Sequence, residues 1–130
     1  MRSIALLLFA VLLLLAQSSP GVRVRASICL DKDRDCIKKG FVGFAPARVS
    51  VTYTIPIHKD NRHLLFGMVC TESEYLSSRQ LDGDEEQVPQ FIVIYPRVPE
   101  GECQAIALVT RADGSKQSAR SEVLLIQAQH

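Results

Sequence analysis

Four cysteines, Cys29, Cys36, Cys70 and Cys103, are the residues of this chain best equipped for chemistry. An even count in an exported chain favours two disulfides, and four cysteines permit three pairings. Zinc is the competing reading, but the spacings do not give the paired C-x₂₋₄-C ligands that zinc sites use. Between the first two cysteines, Asp31, Asp33 and Asp35 alternate with Leu30, Lys32 and Arg34. Carboxylates at alternate positions open a calcium loop. Here Cys36 stands where that loop needs glycine, Val42 stands where it needs a bidentate glutamate, and Lys32 and Arg34 offset the acids. The segment therefore reads as a solvated hairpin tip.

His58 and His63 flank a polar turn, with Asp60 as the one local carboxylate. Without a third histidine or a cysteine nearby, they read as surface histidines. Glu85-Glu86 and Glu100/Glu102 pair carboxylates in turns, where their expected role is solubility. No Gly-x-Ser-x-Gly elbow or Gly-rich phosphate loop is present. Asn61, the single asparagine, is followed by Arg-His and so is not a glycosylation acceptor, and the chain has no Trp for a stacking platform. The expectation is no catalytic residue, no metal ligand and no cofactor.

The elements that must position these residues are strands. Val22, Val24, Ala26, Ile28 and Leu30 alternate with polar positions, as do Val49, Val51, Tyr53, Ile55 and Ile57. Side chains two apart share one face of a strand. His63–Thr71 is the next strand, with Leu64, Phe66, Met68 and Cys70 on one face, and a weaker strand covers Glu74–Leu81. Val88–Val98 is apolar on both faces, which predicts a strand covered on both sides. Cys103–Arg111 and Gln117–Ala128 flank Asp113-Gly114, a pair suited to a type I′ hairpin. Residues 31–46 are the least regular stretch. Six to eight short strands and no helical period in the body of the chain predict an all-β fold, an antiparallel two-sheet sandwich.

The chain opens with an export pattern. Arg2 precedes an unbroken apolar run from Ile4 to Ala16, and small and polar residues follow from Gln17 to Gly21. The run is shorter than the roughly 20 residues a membrane span requires. The expected organisation is a signal peptide, a helix, over 1–18 and a single β-sandwich domain over 22–128, secreted or periplasmic, with no stable membrane span after cleavage. Without Arg2, 14 basic residues face 14 acidic ones, which gives no general case for nucleic acid as a partner. The charges are nonetheless segregated. Residues 23–48 hold seven basic and three acidic groups, and residues 72–86 hold one and six.

The C-terminal half resembles an immunoglobulin-like or fibronectin type III-like domain. The resemblance is carried by Val98-Pro99-Glu100-Gly101-Glu102-Cys103-Gln104-Ala105 and Arg111-Ala112-Asp113-Gly114-Ser115, and it spans roughly Ala47 to Gln127. Such domains enter their penultimate strand through a leucine–proline–x–glycine–x–tyrosine segment. Cys103 replaces that tyrosine here, which removes the tyrosine-corner hydrogen bond. The resemblance implies that Cys103, Ala105, Ala107 and Val109 point inward. That favours pairing Cys29 with Cys36 and Cys70 with Cys103, the latter meeting across the core; two buried free thiols at 70 and 103 are the alternative. Chain entropy assigns roughly 2–3 kcal/mol to the short loop and roughly 3–4 kcal/mol to the long one. Export, small size and absent chemistry together lead to the expectation of a non-catalytic module, not an enzyme, that binds an unknown protein or cell-surface component. A small secreted or periplasmic hydrolase and a calcium-stabilised surface domain are the alternatives.

Overall fold

A computed structural model of the protein describes residues 21–30, 36–81 and 87–129. The signal peptide expected over 1–18, the aspartates at 31, 33 and 35 and the Glu85-Glu86 pair lie outside the described residues. Where the sequence alternates, the chain is extended. The strands are β1 (Arg23–Cys29), β2 (Lys39–Gly40), β3 (Val42–Phe44), β4 (Ala47–Thr54), β5 (Asn61–Cys70), β6 (Glu74–Gln80), β7 (Gln90–Val98), β8 (Gly101–Arg111), β9 (Lys116–Arg120) and β10 (Leu124–Gln127). No helix occurs among the described residues.

The strands form two sheets. One has four strands in the order β2-β1-β4-β7. The other has six, ordered β3-β10-β8-β5-β6, with β9 also pairing with β8. Every pairing is antiparallel except β3 with β10, which is parallel. Val49, Val51 and Tyr53 of β4, and Leu64, Phe66 and Met68 of β5, are buried in one shared core with Ala105, Ala107 and Val109 of β8. Fully burying a large aliphatic or aromatic side chain contributes about 1.5–3 kcal/mol. The inward set expected for β8 is therefore the set observed.

Three local expectations are corrected. β7 is covered on one face only: Phe91, Val93 and Tyr95 pack against the core, while Ile92 and Ile94 point from the outer face of the four-stranded sheet and are 61% and 39% exposed. The last strand is broken in two. At the break, Ser121 Oγ accepts a hydrogen bond from the Ala105 N–H at 2.9 Å and donates to the Glu122 carbonyl at 2.9 Å, replacing a stretch of ladder. The Asp113-Gly114 turn is not type I′. Only Gly114 has positive φ (86°), and the Gly114 N–H bonds to the Arg111 carbonyl at 2.9 Å. A three-residue loop closed by a left-handed glycine suits the same sequence.

The disulfides are Cys29–Cys36 and Cys70–Cys103. The second does not cross the core as expected. Cys70 and Cys103 are direct neighbours in the register of β5 and β8, with Cα atoms 4.0 Å apart, so the bridge runs sideways within one sheet.

Candidate functional site

The outward face of the four-stranded sheet gathers the positive charge noted over residues 23–48. In β1, burial of Val24, Ala26 and Ile28 turns Arg23, Arg25 and Ser27 outward. In β4, the same alternation turns out Arg48, Ser50, Thr52 and Thr54. Register then sets Arg25 beside Thr52 and Ile92, Ser27 beside Ser50 and Ile94, and Arg48 beside Cys29. Across these rows there are three arginines and no carboxylate. Lys39, on the neighbouring β2, adds a fourth cation.

A groove of about 560 Å³ runs over this face and past the edge of β1. β2 pairs only with Ile28 and Cys29, so no strand among the described residues pairs with the edge of β1 from Arg23 to Ser27 on that side. The groove floor is short side chains, Ser27, Ser50 and Thr52, and Ser50 is only 8% exposed although it faces outward. Arg25, Lys39, Gln90 and the half-exposed Phe41 form its walls, with Glu122 the single carboxylate lining it. Among the described residues no Lys or Arg nitrogen lies within 4.0 Å of a carboxylate oxygen, so none of these cations is paired with a described carboxylate. The buried Arg48 Nε has no acceptor among those residues either. Cations above a hydroxyl floor can bind an anion and hydrogen-bond its hydroxyl groups.

The residues singled out from sequence are not assembled into one site. His58 Nδ1 accepts a hydrogen bond from the Asp60 N–H at 3.0 Å and lies 3.8 Å from the Asp60 carboxylate. His63 sits exposed in β5, opposite Gln80 and Thr110. No cluster of three or more His, Cys, Asp or Glu side chains able to hold a metal occurs among the described residues. Glu102 is exposed, and its backbone is tied to Thr71: Thr71 Oγ1 accepts from the Glu102 N–H at 3.0 Å. Asn61 is a structural centre, 1% exposed, donating from Nδ2 to the Pro56 carbonyl and to Gln87 Oε1, both at 3.0 Å. Ser27, Ser50, Thr52, Phe41 and Gln90 were missed by sequence reasoning. The only signal was the outward parity of Arg23, Arg25 and Arg48, and it becomes a site only once β1 and β4 are paired.

A second polar feature lies between the sheets. Tyr53, fully buried, donates its hydroxyl to the Gly67 carbonyl at 3.1 Å, which leaves Tyr95 as the donor in the 3.0 Å contact between the two phenols. Burial pushes the Tyr53 phenol well above its ordinary pKa, and its contact with Tyr95 adds to the rise. Burial also raises Tyr95. Phe66 and Phe91 pack on Tyr53, and the Arg79 guanidinium lies over both phenylalanine rings, 5.9 and 5.3 Å from their centroids.

No family model matches the chain, and no curated protein matches its sequence. Solved structures do share its architecture. The superoxide reductase (neelaredoxin) of Ignicoccus hospitalis superposes with a TM-score of 0.53 at 8% identity, covering 83% of this chain and 81% of that one. The soluble domain of PmoD from Methylocystis sp. ATCC 49242 (Rockwell) gives 0.47 at 14% identity, over 80% and 90%. At 8% identity the first match shows the fold alone: an all-β, two-sheet sandwich of neelaredoxin type. It also overturns the expectation of a non-catalytic, protein- or surface-binding module that is not an enzyme. That expectation treated the sandwich as a scaffold without chemistry, and this sandwich architecture serves an enzyme. Neither the hydrolase nor the calcium alternative gains from the comparison.

Proposed function

We propose that this protein works outside the cytoplasm and recognises a small anionic, hydroxyl-bearing ligand, of the acidic-saccharide kind, in the groove of its four-stranded sheet. The observation that carries the reading is a groove with a recessed floor of Ser27, Ser50 and Thr52, lined by the cations Arg25 and Lys39 against the single carboxylate Glu122, on a sheet face that also presents Arg23 and Arg48. Arg25 and Lys39 supply the charge-assisted contacts, the floor hydroxyls bind ligand hydroxyls, and Phe41 covers one apolar edge.

The compartment is supported by the export pattern before residue 21 and by two disulfides, which persist where the surroundings are oxidising. No helix among the described residues is long and apolar enough to cross a membrane. Cleavage of a signal peptide over 1–18 leaves a single domain over 22–128. N-terminal sequencing of the secreted or periplasmic protein is expected to begin within residues 17–19; recovery of an intact Met1 from that fraction would reject export by cleavage. The domain is of the immunoglobulin-like type in this reading. Support comes from β1, β4 and β7 standing as the first, second and fifth strands of such a sandwich, and from β8 between β5 and the last strand in the opposite sheet.

Titration calorimetry with a uronate disaccharide and its neutral counterpart tests the ligand class. The acidic sugar is expected to bind more tightly by tenfold or more, and to weaken as salt is added. Arg25→Ala should weaken it by about 10–100-fold, the equivalent of the roughly 1.5–3 kcal/mol of a hydrogen bond to a charged group, while leaving the melting temperature in place. Equal binding of the two sugars, or an Arg25→Ala variant that binds like the parent, would refute the reading.

A further inference from the structure

The groove uses Arg25, Lys39, Phe41 and the hydroxyl floor, and leaves other groups on the same face without a role. On β7, packing of Phe91, Val93 and Tyr95 against the core turns Ile92 and Ile94 outward, both exposed. Register sets two rows across the sheet: Arg25, Thr52 and Ile92 in one, Ser27, Ser50 and Ile94 in the next. Neighbouring strands lie about 4.8 Å apart, so the isoleucines stand roughly 10 Å from β1, across the hydroxyl floor. Phe41, half-exposed, follows β2 at the other end of the sheet order. The floor therefore has an apolar bank on each side. Arg23, exposed beside Thr54, and Arg48, beside Cys29, add charge outside the groove lining. Arg23, Arg25, Lys39 and Arg48 outnumber Glu122, the one carboxylate that lines the groove.

We infer that the acidic ligand of the groove is the headgroup of a glycolipid, held in a bilayer on which the outer face of the four-stranded sheet lies, an assignment that rests on the groove reading for its headgroup. A soluble sugar leaves both isoleucines bare to water. A second copy of this face would set arginines against arginines, and like charges repel. An anionic bilayer answers both groups at once. Exposed aliphatic side chains enter the boundary of the hydrocarbon, while arginine and lysine lay their apolar stems along it and keep their charge among the headgroups. Each cation held near an anionic membrane surface adds to the attraction. The headgroup enters between the two apolar banks, its acid at Arg25 and Lys39 and its hydroxyls on Ser27, Ser50 and Thr52. Its lipid chains begin at the level of Ile92 and Ile94, and Arg23 and Arg48 face neighbouring acidic headgroups.

Vesicle flotation run beside calorimetry with the soluble uronate disaccharide separates the membrane from the sugar. The vesicles are phosphatidylcholine carrying glucuronosyl diacylglycerol, its neutral glucosyl counterpart, or neither. The protein isolated after export is expected to float with the uronide vesicles and to stay in solution with the other two. Changing Ile92→Ser and Ile94→Ser together should weaken vesicle binding by at least tenfold, while the soluble disaccharide binds as it does to the parent, which also shows that the variant is folded. With the disaccharide bound, any of three results overturns the membrane assignment alone: no flotation with uronide vesicles, flotation indifferent to the two isoleucines, or equal uptake by all three vesicles. Failure of the disaccharide to bind removes the groove reading itself, and the membrane assignment with it.

Discussion

At the residue scale, Tyr53 shows how burial assigns a role that residue type alone does not. It is the largest fully buried side chain, and its one polar atom is satisfied by the Gly67 carbonyl and the Tyr95 hydroxyl. Tyr53→Phe keeps the ring and leaves both partners short of a bond, an expected cost of about 1–3 kcal/mol in urea unfolding. The pH dependence has a definite sign. The folded state holds both phenols protonated, and the unfolded chain ionises tyrosine near pH 10. Their contribution is therefore fully present below about pH 10 and is lost as the pH rises beyond it, because the unfolded state then binds fewer protons. Denaturation midpoints measured from pH 8 to 11.5 should be flat and then fall, and the fall should be shallower in the Tyr53→Phe variant.

At the scale of elements, the disulfides hold the sandwich at two different places. Cys29–Cys36 closes a loop at the end of β1, with a sequence separation of 7. Cys70–Cys103 clamps β5 to β8, with a separation of 33, in the middle of the larger sheet. A one-residue slip there would turn Leu64, Phe66 and Met68 to solvent, because the side-chain period in a strand is two. Replacing Cys70 and Cys103 together by alanine should lower unfolding free energy by about 3–4 kcal/mol, and replacing Cys29 and Cys36 by about 2–3 kcal/mol, on the entropy of the loops released. Denaturant titration of the two double variants gives the order; equal losses would show that loop length does not govern these bridges.

At the scale of the whole molecule, the two outer faces differ in chemistry. One sheet presents arginines over a hydroxyl floor, and the other presents leucine, isoleucine and valine around Gly67. The basic bias of residues 23–48 was visible as a count, and here it becomes a surface: β1 and β4 pair residue for residue from Arg23–Thr54 to Cys29–Arg48, so their outward arginines share a face.

What the sequence by itself determined was local. Alternation in β1, β4 and β5 named those strands and the inward set of each, because side-chain period is a property of the extended backbone alone. Sheet order was not legible. Apolar residues on both faces of β7 looked like a strand covered on both sides, but only its inner face meets the core and it ends its sheet, because nothing local says what packs on a strand or how many neighbours it has. The groove was hidden for the same reason. Arg25, Ser50 and Lys39 are unremarkable in their own segments and are brought together only by pairing of strands far apart in the chain. Tertiary structure also turned Cys70 and Cys103 into lateral neighbours, since register, and not spacing, decides which side chains stand opposite one another.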